Sequence, residues 1–235
     1  MHPNFHRNIA RLITEIRADL VAPYFVETGT NVGETAEWAS EHFEKVTTIE
    51  LDDDLYDTAV SERGHIENLS IKQGNSATVL HDVLADLDRD AVVHLDAHCG
   101  GKWLDSAGDT DANAEFTECP LMDELEAFRG SSNDYYLFID DARVFTSPRR
   151  EPFNPDDWPT LQDVIHKLED IDPGYDILIY LDELIAVPAD GSSYVRDRIR
   201  QYKTEDRAKS GRLRRYVFNK VWQHASLSGP VRDLK

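Results

Sequence analysis

Between Phe25 and Ala97, four short β-rich runs (FVET, VTTIEL, LSIKQG and AVVHLDA) are separated by stretches with helical spacing at 34–44, 53–62 and 76–88. Such alternation requires crossover connections, and so a parallel sheet with helices packed on its faces. The pattern continues through a helix at 120–128, the strand YYLFID, a helix at 158–169, and two last strands, YDILIY and LIAVP, about three residues apart. So short a link joins antiparallel neighbours. The expected architecture is therefore α/β: an open, doubly wound sheet of seven strands, with strands 6 and 7 as an antiparallel edge hairpin.

Helical additions flank this sheet. Ile9, Leu12, Ile13, Ile16 and Leu20 recur at amphipathic spacing, so the first twenty residues read as a packed helix rather than a secretory leader. At the other end, residues 191–235 hold 12 basic and 4 acidic side chains, while 1–190 hold 13 basic and 41 acidic. The expected division is a sheet domain at 1–190 and a basic helical extension at 191–235. An acidic body repels polyanions, which disfavours nucleic acid as a partner. The extension reads as a docking element for the body or for a second copy of the chain, a homodimer. The apolar stretch DILIYLDELIAVP, interrupted by Asp182 and Glu183, is too short to span a bilayer. With Cys99 and Cys119 as the only cysteines, a soluble, reducing, cytoplasmic setting is expected. The net charge of −20 is equally compatible with adaptation to high salt.

The stretch YFVETGTNVGE carries the first functional signal. An apolar strand ends at Glu27, and Gly29 and Gly33 then bracket small polar residues before a helix begins. Glycine after a strand permits a sharp turn and a close ligand approach, and the helix start offers free N–H groups. The next strand ends in Glu50, near the interval at which an acid meets the ribose hydroxyls of a nucleotide. An adenosine-containing ligand fits. Thr30 and Asn31 interrupt the G-x-G-x-x-G pattern, which disfavours NAD, and no G-x-x-x-x-G-K-[ST] phosphate loop is present. Adenosine without phosphates points to S-adenosylmethionine.

ETGTNVGETAEW, TIELDDD and IKQGNSATVL resemble, in order, the first three motifs of class I S-adenosylmethionine-dependent methyltransferases, whose sheet is Rossmann-like. The resemblance spans about residues 22–190. It implies that the loop of Gly29, Thr30, Asn31 and Gly33 holds the cofactor, that Glu27 lies near its methionine part, that Glu50 grips the ribose, and that Asn75 and Ser76 border the adenine. Thr30 stands where many members keep a second glycine.

A second cluster is expected at the same sheet edge. AVVHLDAHC and YYLFIDDAR would bring Asp96, Asp140 and Asp141 together, and carboxylates in that proximity are tolerable around a hard cation such as Mg²⁺, Mn²⁺ or Ca²⁺. The pairing is similar to the divalent-metal-dependent macrocin-type sugar and macrolide O-methyltransferases. That likeness implies Asp96, Asp140 and Asp141 as magnesium ligands, with His98 standing where the family has an acidic general base. A histidine can take a hydroxyl proton near neutral pH. His94, on the same strand face, reads as a hydrogen-bonded core residue, and the spacing of His94, His98, Cys99 and Cys119 lacks the signature of a zinc site. The expected function is methyl transfer to a hydroxyl of a small molecule or sugar. The rivals are an RNA or protein methyltransferase docked by the basic extension, a non-catalytic adenosyl-binding module, and a glycosyltransferase using the acids at 52–54. The loops at 99–118 and 143–157 follow strand ends and are expected to frame the acceptor.

Overall fold

The computed structural model describes residues 5–98, 117–147 and 154–225, the last of these from 209 onward as helix backbone only. Seven strands form one sheet in the order β3-β2-β1-β4-β5-β7-β6. They run β1 Tyr24–Thr28, β2 Lys45–Glu50, β3 Leu69–Gln73, β4 Ala91–Leu95, β5 Tyr135–Ile139, β6 Asp176–Tyr180 and β7 Glu183–Val187. β7 is antiparallel to both β5 and β6. The order reverses between β1 and β4, the switch point at which open α/β sheets take ligands.

The helices are α1 Arg7–Asp19, α2 Glu34–Ser40, α3 Asp53–Arg63, α4 Ser76–Ala85, α5 Leu121–Glu126, α6 Leu161–Ile171 and α7 Ala189–Ala225. In α1 the apolar positions Ile9, Leu12, Ile13 and Ile16 are fully buried, which stabilises the fold by roughly 1.5–3 kcal/mol for each side chain. Side chains set several helix starts: Asp52 accepts from the Leu55 N–H at 2.8 Å, and Thr160 and Asp163 form a reciprocal capping box. Asp52 and Asp53 thus belong to a helix start, with Asp53 also bound by the Gln73 amide at 2.6 Å.

Several element boundaries differ from the sequence expectation, α4 ending at Ala85 and α6 starting at Leu161 among them, and two of the differences have a local cause. α2 stops at Ser40 instead of continuing to 44, because the chain folds back for Glu44 N–H to bond the Pro23 carbonyl at 2.9 Å. The last hairpin turns on Leu181 and Asp182 alone, at φ 53° and 73°. Two left-handed residues match the twist of a two-residue hairpin turn. Glu183 is consequently the first residue of β7 and is buried.

The chain divides into two compact units, Met1–Val195 and Arg196–Lys235. Within the second, Arg200 pairs with Asp197 at 2.8 Å and Gln201 with Glu205 at 2.8 Å along α7. Among the described residues no helix is long and apolar enough to cross a membrane.

Candidate functional site

The loop after β1 is held in an uncommon backbone shape, with Gly29, Asn31 and Gly33 all at positive φ (81°, 51° and 85°). Gly29 has a packing reason: a Cβ there would lie 2.2 Å from the Asp96 carbonyl oxygen. Glycine at this position lets the tips of β1 and β4 touch. Thr30, at the departure from the glycine-rich pattern, is 4% exposed, and its hydroxyl lies 2.6 Å from that of Thr48, which in turn donates to Glu27 Oε2 at 2.8 Å. With Thr48 as donor to the acid, Thr30 is the donor to Thr48. A side-chain chain thus does what a second glycine does not: it fastens the loop to β2.

Glu50 completes the loop from in front. Its Oε2 accepts the Asn31 N–H at 2.7 Å and its Oε1 the Asp52 N–H at 2.9 Å, leaving lone pairs for further donors. Burial raises its pKa against these backbone donors. Leu51 beside it is 49% exposed, an apolar side chain in solvent at the rim of a polar site. Behind the loop stands Arg63, 7% exposed, donating from Nη1 to the Val32 carbonyl at 2.6 Å and from Nε to Glu37 at 2.9 Å. Neither Leu51 nor Arg63 was singled out in the sequence. Leu51 is an apolar residue just past a strand-end acid, a readable signal, but nothing local marks Arg63, 26 positions from Glu37.

Asn75 caps α4 by accepting the Ala77 N–H at 3.0 Å, and Ser76 is buried beside it. Glu124 of α5 is buried, and desolvation raises its pKa to about 6 in spite of the neighbouring Ser76 and Thr28 hydroxyls. Glu27 is 2% exposed, and desolvation pushes it up to about 8 in spite of the Thr48 bond. Its register partner His94 is equally buried, and desolvation lowers its pKa to about 4. The expected hydrogen bonds of His94 are not formed: both ring nitrogens lack a partner, with Glu27 Oε1 and Glu183 Oε1 each 3.9 Å away. Glu27 and His94 stand on the adjacent strands β1 and β4, and Glu183 on β7, beyond β5, so backbone pairing sets their spacing.

Asp96 and Asp140 follow neighbouring strand ends, Asp96 N–H bonding the Thr28 carbonyl at 3.2 Å and Asp140 N–H the Leu95 carbonyl at 3.1 Å. Burial and the charge of Asp140 hold Asp96 well above the usual carboxylate range, and burial, with the charge of Asp141, raises Asp140. Asp141 behaves oppositely. Its Oδ2 lies 2.9 Å from His98 Nε2, and this bond, with Arg143 2.5 Å from Oδ1, lowers its pKa. His98 Nδ1 faces Asp96 Oδ1 at 3.7 Å. Trp158 meets the His98 ring edge-on, centroids 5.6 Å apart, and its indole N–H donates to buried Glu118 at 2.8 Å. Glu118 also accepts from Asn154 N–H at 3.0 Å, joining the two long loops near their bases. Among the described residues no group of three His, Cys, Asp or Glu side chains is arranged to hold a metal ion. Cys119 is buried, while Cys99, with the rest of 99–116 and with 148–153, lies outside the described residues.

No protein-family model matches the chain, and no curated protein matches it. Solved structures do. A provisionally named O-methyltransferase from Klebsiella pneumoniae aligns at a TM-score of 0.50 and 12% identity, over 79% of this chain and 81% of that one. An O-methyltransferase from Bacillus cereus, solved with S-adenosylhomocysteine, aligns at 0.49 and 14%, over 80% and 84%. At such identities the likeness is one of fold, and the chain has the seven-stranded, Rossmann-like sheet of the Klebsiella pneumoniae structure.

Proposed function

We propose that the chain is an S-adenosylmethionine-dependent methyltransferase acting on a hydroxyl of a small molecule or sugar. The observation that carries the reading is the contact of the β1 and β4 tips. The glycine loop with Glu50 and the His98–Asp141 pair stand on neighbouring strand ends, so tightly apposed that Gly29 has no room for a Cβ. A methyl donor on the first and a hydroxyl on the second would meet.

The residues fit the donor. Gly29, Thr30, Asn31 and Gly33 form a fixed loop, Glu50 has lone pairs free for ribose hydroxyls, and exposed Leu51 offers the adenine an apolar face that the polar Asn75 and Ser76 would border. Glu27, buried next to the loop, suits the ammonium of the methionine part. The sulfonium supplies an already activated methyl group, so the protein's contribution is alignment and proton removal. With Nε2–H donating to Asp141, His98 keeps Nδ1 as the acceptor for the hydroxyl proton. Asp141 fixes that tautomer and favours the imidazolium that results.

The three acids fit a hard cation in charge. Asp96 and Asp140, both pushed up by burial and by neighbouring negative charge, are relieved by a positive ion. Their arrangement fits less well, because both Asp141 oxygens already face His98 and Arg143. Asp96, Asp140 and Asp141 would hold Mg²⁺, which would orient the acceptor hydroxyl and lower its pKa. The basic segment 191–235 is read as a docking element outside this chemistry.

Thermal unfolding with S-adenosylmethionine or S-adenosylhomocysteine, each with magnesium or EDTA, tests the reading. A ligand bound to the native state raises the midpoint. A rise with the adenosyl compounds is expected; no rise, or one with NAD⁺ alone, overturns the assignment.

A further inference from the structure

Glu124 is 1% exposed, and its Oε1 has no hydrogen-bond partner among the described residues. It lines a half-open niche at the tips of β4 and β5, walled by Leu95, Ala97, Leu121, Ile139 and Phe145 and bordered by His98, with room for about one water-sized group. Among the described residues that line this niche Glu124 is the only acid, and none is a lysine or an arginine. The imidazole of His98 is already bonded to Asp141 at 2.9 Å. With its pKa at about 6, Glu124 is a carboxylate at neutral pH. A buried carboxylate is costly unless a positive charge and a hydrogen-bond donor meet it.

We propose that this niche is the subsite for a primary ammonium group carried by the methyl acceptor, with Glu124 Oε1 accepting one of its hydrogens. The inference rests on the proposed function and deepens it by naming the acceptor class: an amine-bearing hydroxyl compound, such as an amino sugar or an amino alcohol. Size and charge select that group together. A primary ammonium is about as large as a water molecule, and the open side of the niche leaves its other hydrogens to solvent; a guanidinium or a quaternary ammonium is too large. A neutral hydroxyl would fit but would leave the carboxylate's charge unpaired. Residues 1–190, with 41 acidic and 13 basic side chains, also draw a cation toward the body. The ammonium is matched by Glu124, so His98 keeps Asp141 as the counter-ion for the proton it takes up.

Solution NMR of the full chain, isotope-labelled at the glutamate carboxyl carbons, tests this with methylammonium chloride as the probe, at neutral pH and constant ionic strength. The Glu124 resonance is the one missing from Glu124→Gln; should that variant not fold, the methyl resonances of Leu95 and Leu121 report the same binding in the wild-type chain. Methylammonium should move these signals saturably and bind about tenfold or more tightly than methanol, a neutral donor of similar size. Tetramethylammonium, the same charge in a larger body, should leave them in place. No saturable shift, or one that methanol or tetramethylammonium reproduces equally, overturns the inference and points to a structural water or to diffuse attraction by the acidic body. The proposed function is read separately, from the thermal response to S-adenosylhomocysteine. If that response is absent while methylammonium still binds, the assignment of the group to a methyl acceptor falls and the ammonium site alone stands.

Discussion

His98 Nε2 lies 2.9 Å from Asp141 Oδ2, which makes the histidine after β4 and the second acid after β5 one hydrogen-bonded unit. Asp141 adopts a left-handed backbone, φ 57°, to reach it. Strain of this kind at a non-glycine residue costs of order 1–3 kcal/mol and persists where the surroundings enforce it. Here Arg143 and the neighbouring acid do so, the Asp141 N–H bonding Asp140 Oδ1 at 2.7 Å.

On the proposed reaction, Asp141→Asn should lower methyl transfer about 100-fold or more, the range general-base catalysis contributes. The amide no longer fixes the productive tautomer or balances the imidazolium. S-adenosylhomocysteine affinity should stay within about threefold, since Asp141 follows β5 and is bonded to His98 and Arg143 on the side assigned to the acceptor. Single-turnover rates and calorimetric titration separate the two, and equal loss of both counts against the assignment of Asp141 to the acceptor side.

Gly29→Ala tests the apposition of the strand tips. The residue sits at φ 81°, and its Cβ would fall 2.2 Å from a backbone oxygen, which cannot rotate away. Left-handed geometry and forced overpacking together should cost at least about 2 kcal/mol of stability. Denaturant unfolding measures this, and a loss below about 0.5 kcal/mol would mean that the β1 and β4 tips stand further apart.

The sheet and the strand-end acids were legible because they depend on local pattern: β-rich runs give strands, and their last residues fall at one edge. The seven strands and the antiparallel final pair follow from spacing alone. What stayed hidden depends on contacts between distant positions. Arg63 lies at the end of α3, a largely polar helix whose only other buried residue is Ala59, and only the fold brings it to Val32. Glu124 reads as one of three acids in a short helix, and only the packing of α5 against α4 buries it. His94 illustrates the converse: its depth was legible, its missing hydrogen bonds were not, because they depend on ångström-scale placement of Glu27 and Glu183.

Arg63 should act on cofactor binding without touching the cofactor. Three left-handed residues in the glycine loop are held in front by Glu50 and behind by Arg63. A loop ordered before binding spares the ligand that cost. Arg63→Met keeps much of the buried stem and removes the guanidinium. It should weaken S-adenosylhomocysteine binding about tenfold and speed hydrogen exchange of the amides at 29–33, with protection restored on saturation. Arg63→Lys, with one cation but no fork, should fall between. Unchanged exchange in Arg63→Met would assign the loop's shape to Glu50 and Thr30 alone.

Glu27 gives the stability of the fold a pH dependence of definite sign. Its pKa is raised from 4.5 to about 8, so the native state keeps a proton that the unfolded chain has lost. Its contribution is full below pH 4.5 and disappears as the pH rises through 8. His94, lowered from 6.5 to about 4, contributes fully above pH 6.5 and loses its contribution as the pH falls through 4. Between pH 4.5 and 6.5 the two slopes oppose. From pH 6.5 to 8 Glu27 acts without that counterweight, and stability should fall by up to about 1.4 kcal/mol per pH unit from this group. Asp96 and Glu183 are raised too and act in the same direction. The diagnostic quantity is therefore the difference between wild type and Glu27→Gln, whose amide is neutral throughout and can still accept from Thr48. Urea unfolding at half-unit steps should show wild type losing ground on Glu27→Gln from pH 6.5 to 8. Parallel curves would mean that Glu27 is ionised in the native protein at neutral pH, and the buried acid would then need a cation of its own.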